Sequence, residues 1–210
     1  MANPLSRDAR GYESQFATNH LGHFQLTVRL WPALLRAKGA RVVSLSSRAH
    51  WYSAVDFDDP NYERRAYDKW LAYGQSKTAN ALFTVGLDAR GKAHGVSAFS
   101  VHPGAIFTDL VKYLSHEEIA AFDVYDGNGR IRIDPDRDLK TIAQGAATTA
   151  WCATSPQLKD RGGLFCENCY VAIALGAEEQ NPVGVRPWAT DQDAANRLWR
   201  LSEQLTGARL

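Results

Sequence analysis

The sequence predicts an α/β fold built on a parallel sheet, and three observations carry that prediction. Two short apolar runs, Val42-Val43 with Leu45 and Ala98-Phe99 with Val101, end in polar or turn-forming residues, as buried strands entering loops do. Between them lies a long stretch of helical periodicity, so the order is strand, helix, strand. That helix contains Tyr73-Gly74-Gln75-Ser76-Lys77, a phenol and an ammonium four positions apart. This spacing puts both on one helix face, within roughly 6 Å at Cβ.

The elements follow in order. Residues 8–38 read as one long helix, with Leu26, Leu30, Ala33, Leu34 and Ala37 as its buried stripe. Asp8 or Ser6 caps its start, Gly39 its end, and Pro32 should kink it. A strand covers 41–46. A polar, aromatic loop then runs from Trp51 to Trp70, and its Asp56-Phe57-Asp58-Asp59-Pro60-Asn61 run is turn-rich and solvated. The Tyr73 helix extends to about Ala93, with Ala79, Leu82, Phe83, Gly86 and Leu87 facing the core. A second strand, 97–102, breaks at Pro103-Gly104. Beyond Thr108 a variable region contains a short helix near 115–122 and the turn Asp126-Gly127-Asn128-Gly129. A helix at 140–154, extended pieces at 164–166 and 170–174, and a terminal helix at 191–205 striped by Leu198, Leu201 and Leu205 complete the chain.

With 210 residues the chain fits one domain with a sizeable core. Hydrophobic residues make up 45% and charged residues 22%, as in ordinary globular proteins, and a net charge of +1 gives no reason to expect nucleic acid or an anionic membrane as partner. No apolar stretch is long enough to span a bilayer. Three cysteines make no disulfide framework, and Cys166-x-x-Cys169 lacks the second ligand pair a zinc site needs, so no metal is expected and the thiols are read as free in a reducing cytoplasm. His20 and His23 are read as packing residues flanking Asn19.

A phenol titrates near 10 and is a poor base at neutrality, but a nearby ammonium lowers that value, and a Tyr so tuned can exchange a proton with an alcohol or carbonyl oxygen. Ser47, at the end of the first strand, is placed to donate into a cleft beyond the sheet's carboxyl edge. Asn19, Ser46-Ser47, Tyr73-x-x-x-Lys77 and Pro103-Gly104-x-Ile106-x-Thr108, in this order, resemble the short-chain dehydrogenase/reductase family. Asn19-His20-Leu21-Gly22-His23-Phe24, the long segment from Ser47 to Tyr73, and Gly162-Gly163-Leu164-Phe165-Cys166-Glu167-Asn168-Cys169 resemble its retinol-dehydrogenase-like and WW-domain-oxidoreductase-like branch.

The resemblance implies a Rossmann-like, doubly wound parallel sheet and NADP- or NAD-dependent hydride transfer between an alcohol and a carbonyl compound. It implies that Tyr73 exchanges the proton, Lys77 tunes it and bonds the cofactor ribose, Ser47 holds the substrate oxygen, and Asn19 supports a proton relay. Pro103, Gly104, Ile106 and Thr108 would place the nicotinamide. It also implies that the Tyr73 helix and the one before it can pair with a second copy as a homodimer. The family's glycine-rich T-G-x-x-x-G-x-G turn and N-N-A-G strand end are absent from the sequence. Residues 1–210 are therefore expected to form a single, N-terminally truncated domain, the C-terminal part of the fold with its first strands missing. The rival reading is an inactive fragment lacking the dinucleotide-binding half, at most an interaction or dimerisation module. A hydrolase built on Ser47 is weaker, because no Gly-x-Ser-x-Gly elbow is present.

Overall fold

The computed structural model describes residues 1–179 and 183–210. Four strands, β1 (Arg41–Leu45), β2 (Ser97–His102), β3 (Leu164–Glu167) and β4 (Tyr170–Val171), form one sheet in that spatial order. β1, β2 and β3 are parallel, with Val43 opposite Phe99 and Val101 opposite Cys166, and β4 returns antiparallel to β3. Parallel strands need crossovers. The first is α3 (Lys69–Gly91), and the second contains α5 (Ile142–Thr154).

Alternation along β2 fixes the layers. Ala98 packs with Phe24, Phe83, Leu87 and Trp199 on one face, whereas Phe99 and Val101 pack with Cys152, Leu158 and Cys166 on the other. Helices α1 (Ser14–Phe16), α2 (Gly22–Arg36) and α6 (Gln192–Thr206) share the first face with α3. Each sheet face is thus covered by helix, the arrangement that parallel strands require.

The expectation that only the C-terminal part of the fold is present, with its first strands missing, is corrected here. The Rossmann-like α/β organisation spans nearly the whole chain, with helix from residue 14 and the first strand at 41–45. The expectation rested on motifs absent from the sequence; the residues present build a continuous sheet with a core on both faces.

The N-terminal helix differs from its reading in three ways. It begins at Ser14, where the buried Glu13 carboxylate accepts from the Gln15 and Phe16 amides, because Asp8 is spent on the Arg10 and Tyr12 amides. It widens to a π turn over Ala17–Leu21 and runs through Pro32 to Arg36. The Leu26-Leu30-Ala33 row faces solvent, while Phe24, Thr27 and Val28 face the core. The helix carries two apolar rows, and the aromatic one fits between α3 and α6.

Helix α3 is enclosed almost all round. Gln75, Thr78, Asn80 and Thr84 are buried together with Ala79, Leu82, Phe83 and Leu87. The segment 52–68, expected to be a solvated loop, packs on it. Gln75 donates to the Pro60 carbonyl and accepts from Asp56 N–H and Arg65, while Asp59 folds the loop on itself by accepting from the Glu63, Arg64 and Arg65 amides. Asp56 and Asp59 are thus consumed by the loop's own backbone, while Asp58 is exposed.

After β2 the chain makes a long excursion that starts and ends at one place. Ala105 N–H donates to the Asp138 carbonyl at 2.8 Å, and Lys140 N–H donates to the Ala105 carbonyl at 2.9 Å. The excursion contains α4 (His116–Ala121), closed by a capping box between Ser115 and Glu118.

Candidate functional site

A cavity of about 1120 Å³ opens where β1 and β2 end. Ser47, Tyr73, Lys77, Pro103, Gly104, Ile106 and Thr108 all line it. This is the carboxyl edge of the parallel strands, where open α/β sheets hold ligands. The outer wall is apolar: Trp70 from the start of α3 and Ile119, Phe122 and Val124 from the excursion face it. The excursion is tied down by Glu118, whose carboxylate accepts from Lys69 Nζ at 2.7 Å and from Trp70 Nε1 at 3.1 Å.

Ser47 is extended and caps the turn at Arg48–Trp51, accepting from Ala49 N–H at 3.1 Å. Its hydroxyl and the Tyr73 phenol line the same cavity. Tyr73 is 5% exposed. Burial pushes its pKa up to about 12, and the Ser47 hydroxyl opposes that rise. The sequence reading had Lys77 lowering the phenol. Instead, the Lys77 ammonium stands 5.6 Å from the Tyr73 ring centroid and donates to the Leu45 carbonyl at 3.0 Å. Burial lowers Lys77 to about 8.

Each residue between Tyr73 and Lys77 has a task. At Gly74 a Cβ would lie 2.6 Å from the Ala49 carbonyl oxygen and 2.9 Å from Tyr52 Cβ, so only glycine lets the Ser47 turn approach the helix. Gln75 holds the 52–68 segment, as above. Ser76 donates to the Tyr73 carbonyl at 2.8 Å and accepts from Asn19 Nδ2 at 2.9 Å. Asn19 therefore stands behind the cluster rather than in the cavity wall, and its side-chain bond runs through Ser76 to the Tyr73 carbonyl. The π turn over Ala17–Leu21 carries it there, a distortion common at functional sites. His20 packs against Phe16, Phe24 and Phe83 as expected, but His23 is exposed and bonds the Asn19 carbonyl at 2.8 Å.

On the β2 side, Gly104 has φ +95°, and its missing Cβ is replaced by the Lys140 stem, which would sit 2.6–2.9 Å from it. Ile106 packs against Gly145 of α5, and Thr108 caps the turn at Asp109–Val111.

Sequence reasoning missed Ser76, Asn80, His102, Asp138 and Lys140. Asn80 donates to the same Leu45 carbonyl as Lys77, at 2.8 Å, and Ser46 donates to the Lys77 carbonyl at 2.8 Å; together they pin the end of β1 to α3. The helical spacing of Asn80 from Ser76 and Lys77 was the available signal. Of the three cysteines, all free, Cys152 and Cys166 lie in the core and Cys169 is exposed. Among the described residues no helix is long and apolar enough to cross a membrane.

Comparison with known proteins agrees with this geometry. A family model described as short chain dehydrogenase matches residues 3–119. The chain is 44% identical over 189 residues to a "Probable oxidoreductase" of Streptomyces antibioticus, covering 90% of this chain and 62% of that protein. It is 34% identical over 211 residues to retinol dehydrogenase 12 of Homo sapiens, covering 100% of this chain and 59% of that one. A crystal structure of an uncharacterized protein from Mycobacterium paratuberculosis superposes with a TM-score of 0.68 at 36% identity, over all of this chain and 64% of the other. The chain thus spans about three-fifths of the length of these relatives.

Proposed function

Since the chain belongs to the short-chain dehydrogenase family, we propose that its cavity carries out NAD(P)-dependent hydride transfer between an alcohol and a carbonyl compound, running best as carbonyl reduction. The carrying observation is that Ser47, Tyr73 and Lys77 line one cavity wall, with the Lys77 ammonium 5.6 Å from the phenol ring centroid. A phenol held up to about 12 is protonated at neutral pH and therefore poised as an acid. Tyr73 donates its proton to the substrate oxygen. Ser47 holds that oxygen and stabilises the charge developing on it. Lys77, protonated below about pH 8, lends positive charge to the same point and keeps donors free for a ribose.

The residues present fit the nicotinamide end of a dinucleotide. Pro103, Gly104, Ile106 and Thr108 form one stretch of the cavity wall, and Lys77 lines the same cavity. When bound there, the cofactor supplies the hydride. The described residues contain no glycine-rich turn for the pyrophosphate, so NAD and NADP stand as equal candidates.

The retinol-dehydrogenase-like character is supported by the 34% identity to retinol dehydrogenase 12 and by the apolar outer wall. A cytoplasmic setting is supported by the three free thiols. Pairing of two copies through α2 and α3 is supported by the exposed Leu26, Leu30 and Leu35 of α2, while α3 is largely buried within its own chain.

Tyr73→Phe tests the assignment. Turnover of NADPH or NADH with an aldehyde should fall at least about 100-fold while cofactor affinity stays within about threefold, the loss typical for a general acid. Near-normal turnover would remove Tyr73 from its role. A wild-type chain that neither binds nor oxidises either nucleotide would favour the interaction-module reading.

A further inference from the structure

A second polar cluster lines the same cavity as Ser47 and Tyr73. Asp138 stands at the closing point of the excursion, at φ +65°. One carboxylate oxygen accepts from His102 Nε2 at 2.6 Å, and the other pairs with Lys140 Nζ at 3.1 Å. Lys140 continues to Asn168 Oδ1 at 2.6 Å, reaching the turn after β3. Arg48 N–H donates to His102 Nδ1 at 3.1 Å, which leaves the ring proton on Nε2, directed at Asp138. Arg48 itself is paired with the buried Glu167 at 2.6 Å. His102 and Lys140 are both nearly inaccessible, so these charge-assisted bonds form away from bulk water. Burial would raise the Asp138 carboxyl; the bond from His102 and the neighbouring Lys140 charge hold it down, at about 2.

The placement of these residues gives the cluster its meaning. His102 immediately precedes Pro103-Gly104. The Lys140 stem fills the space above Gly104. Asp138 gives its backbone carbonyl to Ala105 N–H as well as its side chain to His102 and Lys140. The Pro103-Ala105 turn is therefore held by the two residues at which the excursion returns.

We propose that Asp138, with His102 and Lys140, is a positioning clamp that locks the base of the 105–139 excursion onto the Pro103-Gly104 turn and so sets that turn for the nicotinamide. The clamp touches no reacting atom. Its link to nicotinamide rests on the function proposed above; the locking itself does not.

The test uses Asp138→Asn, which keeps the shape and tolerates the left-handed backbone, and Lys140→Met, which keeps the stem over Gly104 and removes the ammonium. Amide hydrogen exchange in the ligand-free protein is read at 105–139 and, as control, in α3. Each variant should quicken exchange at 105–139, Ala105 included, about tenfold while α3 is unmoved, as expected for loss of one charge-assisted bond at a locally opening base. Titration with NADPH and NADH, followed by nicotinamide fluorescence, should then show about tenfold weaker binding, with KM rising and kcat within about threefold.

Exchange within twofold of wild type in both variants would overturn the clamp. Quickened exchange with unchanged nucleotide affinity would overturn its positioning role. If wild type binds neither nucleotide, the proposed function fails, while the exchange result still decides whether the base is locked.

Discussion

Lowering the pH from 7 to 5 should cost this fold about 4 kcal/mol, half of it through His20. His20 is 1% exposed inside a cage of Phe16, Phe24 and Phe83. Ser202 gives its own proton to the Leu198 carbonyl, so it accepts from His20 Nε2, at 2.7 Å. Nδ1 is then the bare nitrogen and has no partner among the described residues. A second proton would place a charge there against aromatic rings.

Burial accordingly lowers the His20 pKa from 6.5 to about 3, and His50, whose Nε2 accepts from Arg186 N–H, falls to the same value, mainly through burial. A folded-state pKa below the unfolded one gives stability that is complete above 6.5 and is lost as pH falls towards the folded value. Each unit in that window is worth about 1.4 kcal/mol per ring, so reaching pH 5 removes about 2 kcal/mol from each. Asp138 and Glu118, lowered to about 2, titrate below this range.

Urea unfolding followed by tryptophan fluorescence, with Trp199 in the same cluster as Phe24 and Phe83, reads the change. His20→Gln keeps a donor for Ser202 and should halve the loss. A wild-type stability flat to within about 1 kcal/mol over this range, or an undiminished loss in His20→Gln, would refute the reasoning.

Gly74→Ala should destabilise the chain by about 1–3 kcal/mol despite alanine's better helix propensity, because its Cβ meets backbone at Ala49; a rise in Tm would contradict this. Activity should fall as pH rises through about 8, where Lys77 loses its proton, and Lys77→Arg should move that limb up by about two units or more; an identical limb in the variant would reassign it. Glu118→Gln should free α4, seen as faster exchange over 116–121, with Tm held to within about 2 °C because the Lys69 pair is only partly buried. Unchanged exchange there would show that the ring contact of Trp70 with Phe122 suffices.

Regularity made much of the fold legible. The strand read at 97–102 is Ser97–His102, and the terminal helix read at 191–205 is Gln192–Thr206. Pattern failed where two patterns overlap: Leu26 and Leu30 of α2 form as regular a row as Phe24 and Val28, and only the location of Trp199 and Phe83 decides between them. The expectation of missing first strands failed differently, by treating an absent motif as a statement about the residues present.

At the site, Ser47, Tyr73 and Lys77 belong to short local patterns and are brought to one wall, with Asn19 behind them. His102, Asp138 and Lys140 carried no such signal. They meet because a chain of more than thirty residues closes on its starting point, and nothing in the spacing of a loop announces where it will close.

That closure makes the excursion a cassette. Its entrance and exit are joined at Ala105 and Lys140, so its two ends stay together whatever lies between them. Residues added, removed or exchanged after Thr108 and before Asp138 need not shift β2, α5 or the Ser47 and Tyr73 side chains. The outer wall of the cavity is therefore replaceable as a unit: a chimera carrying another sequence between Thr108 and Asp138 would inherit the proton donor unchanged and acquire a different mouth.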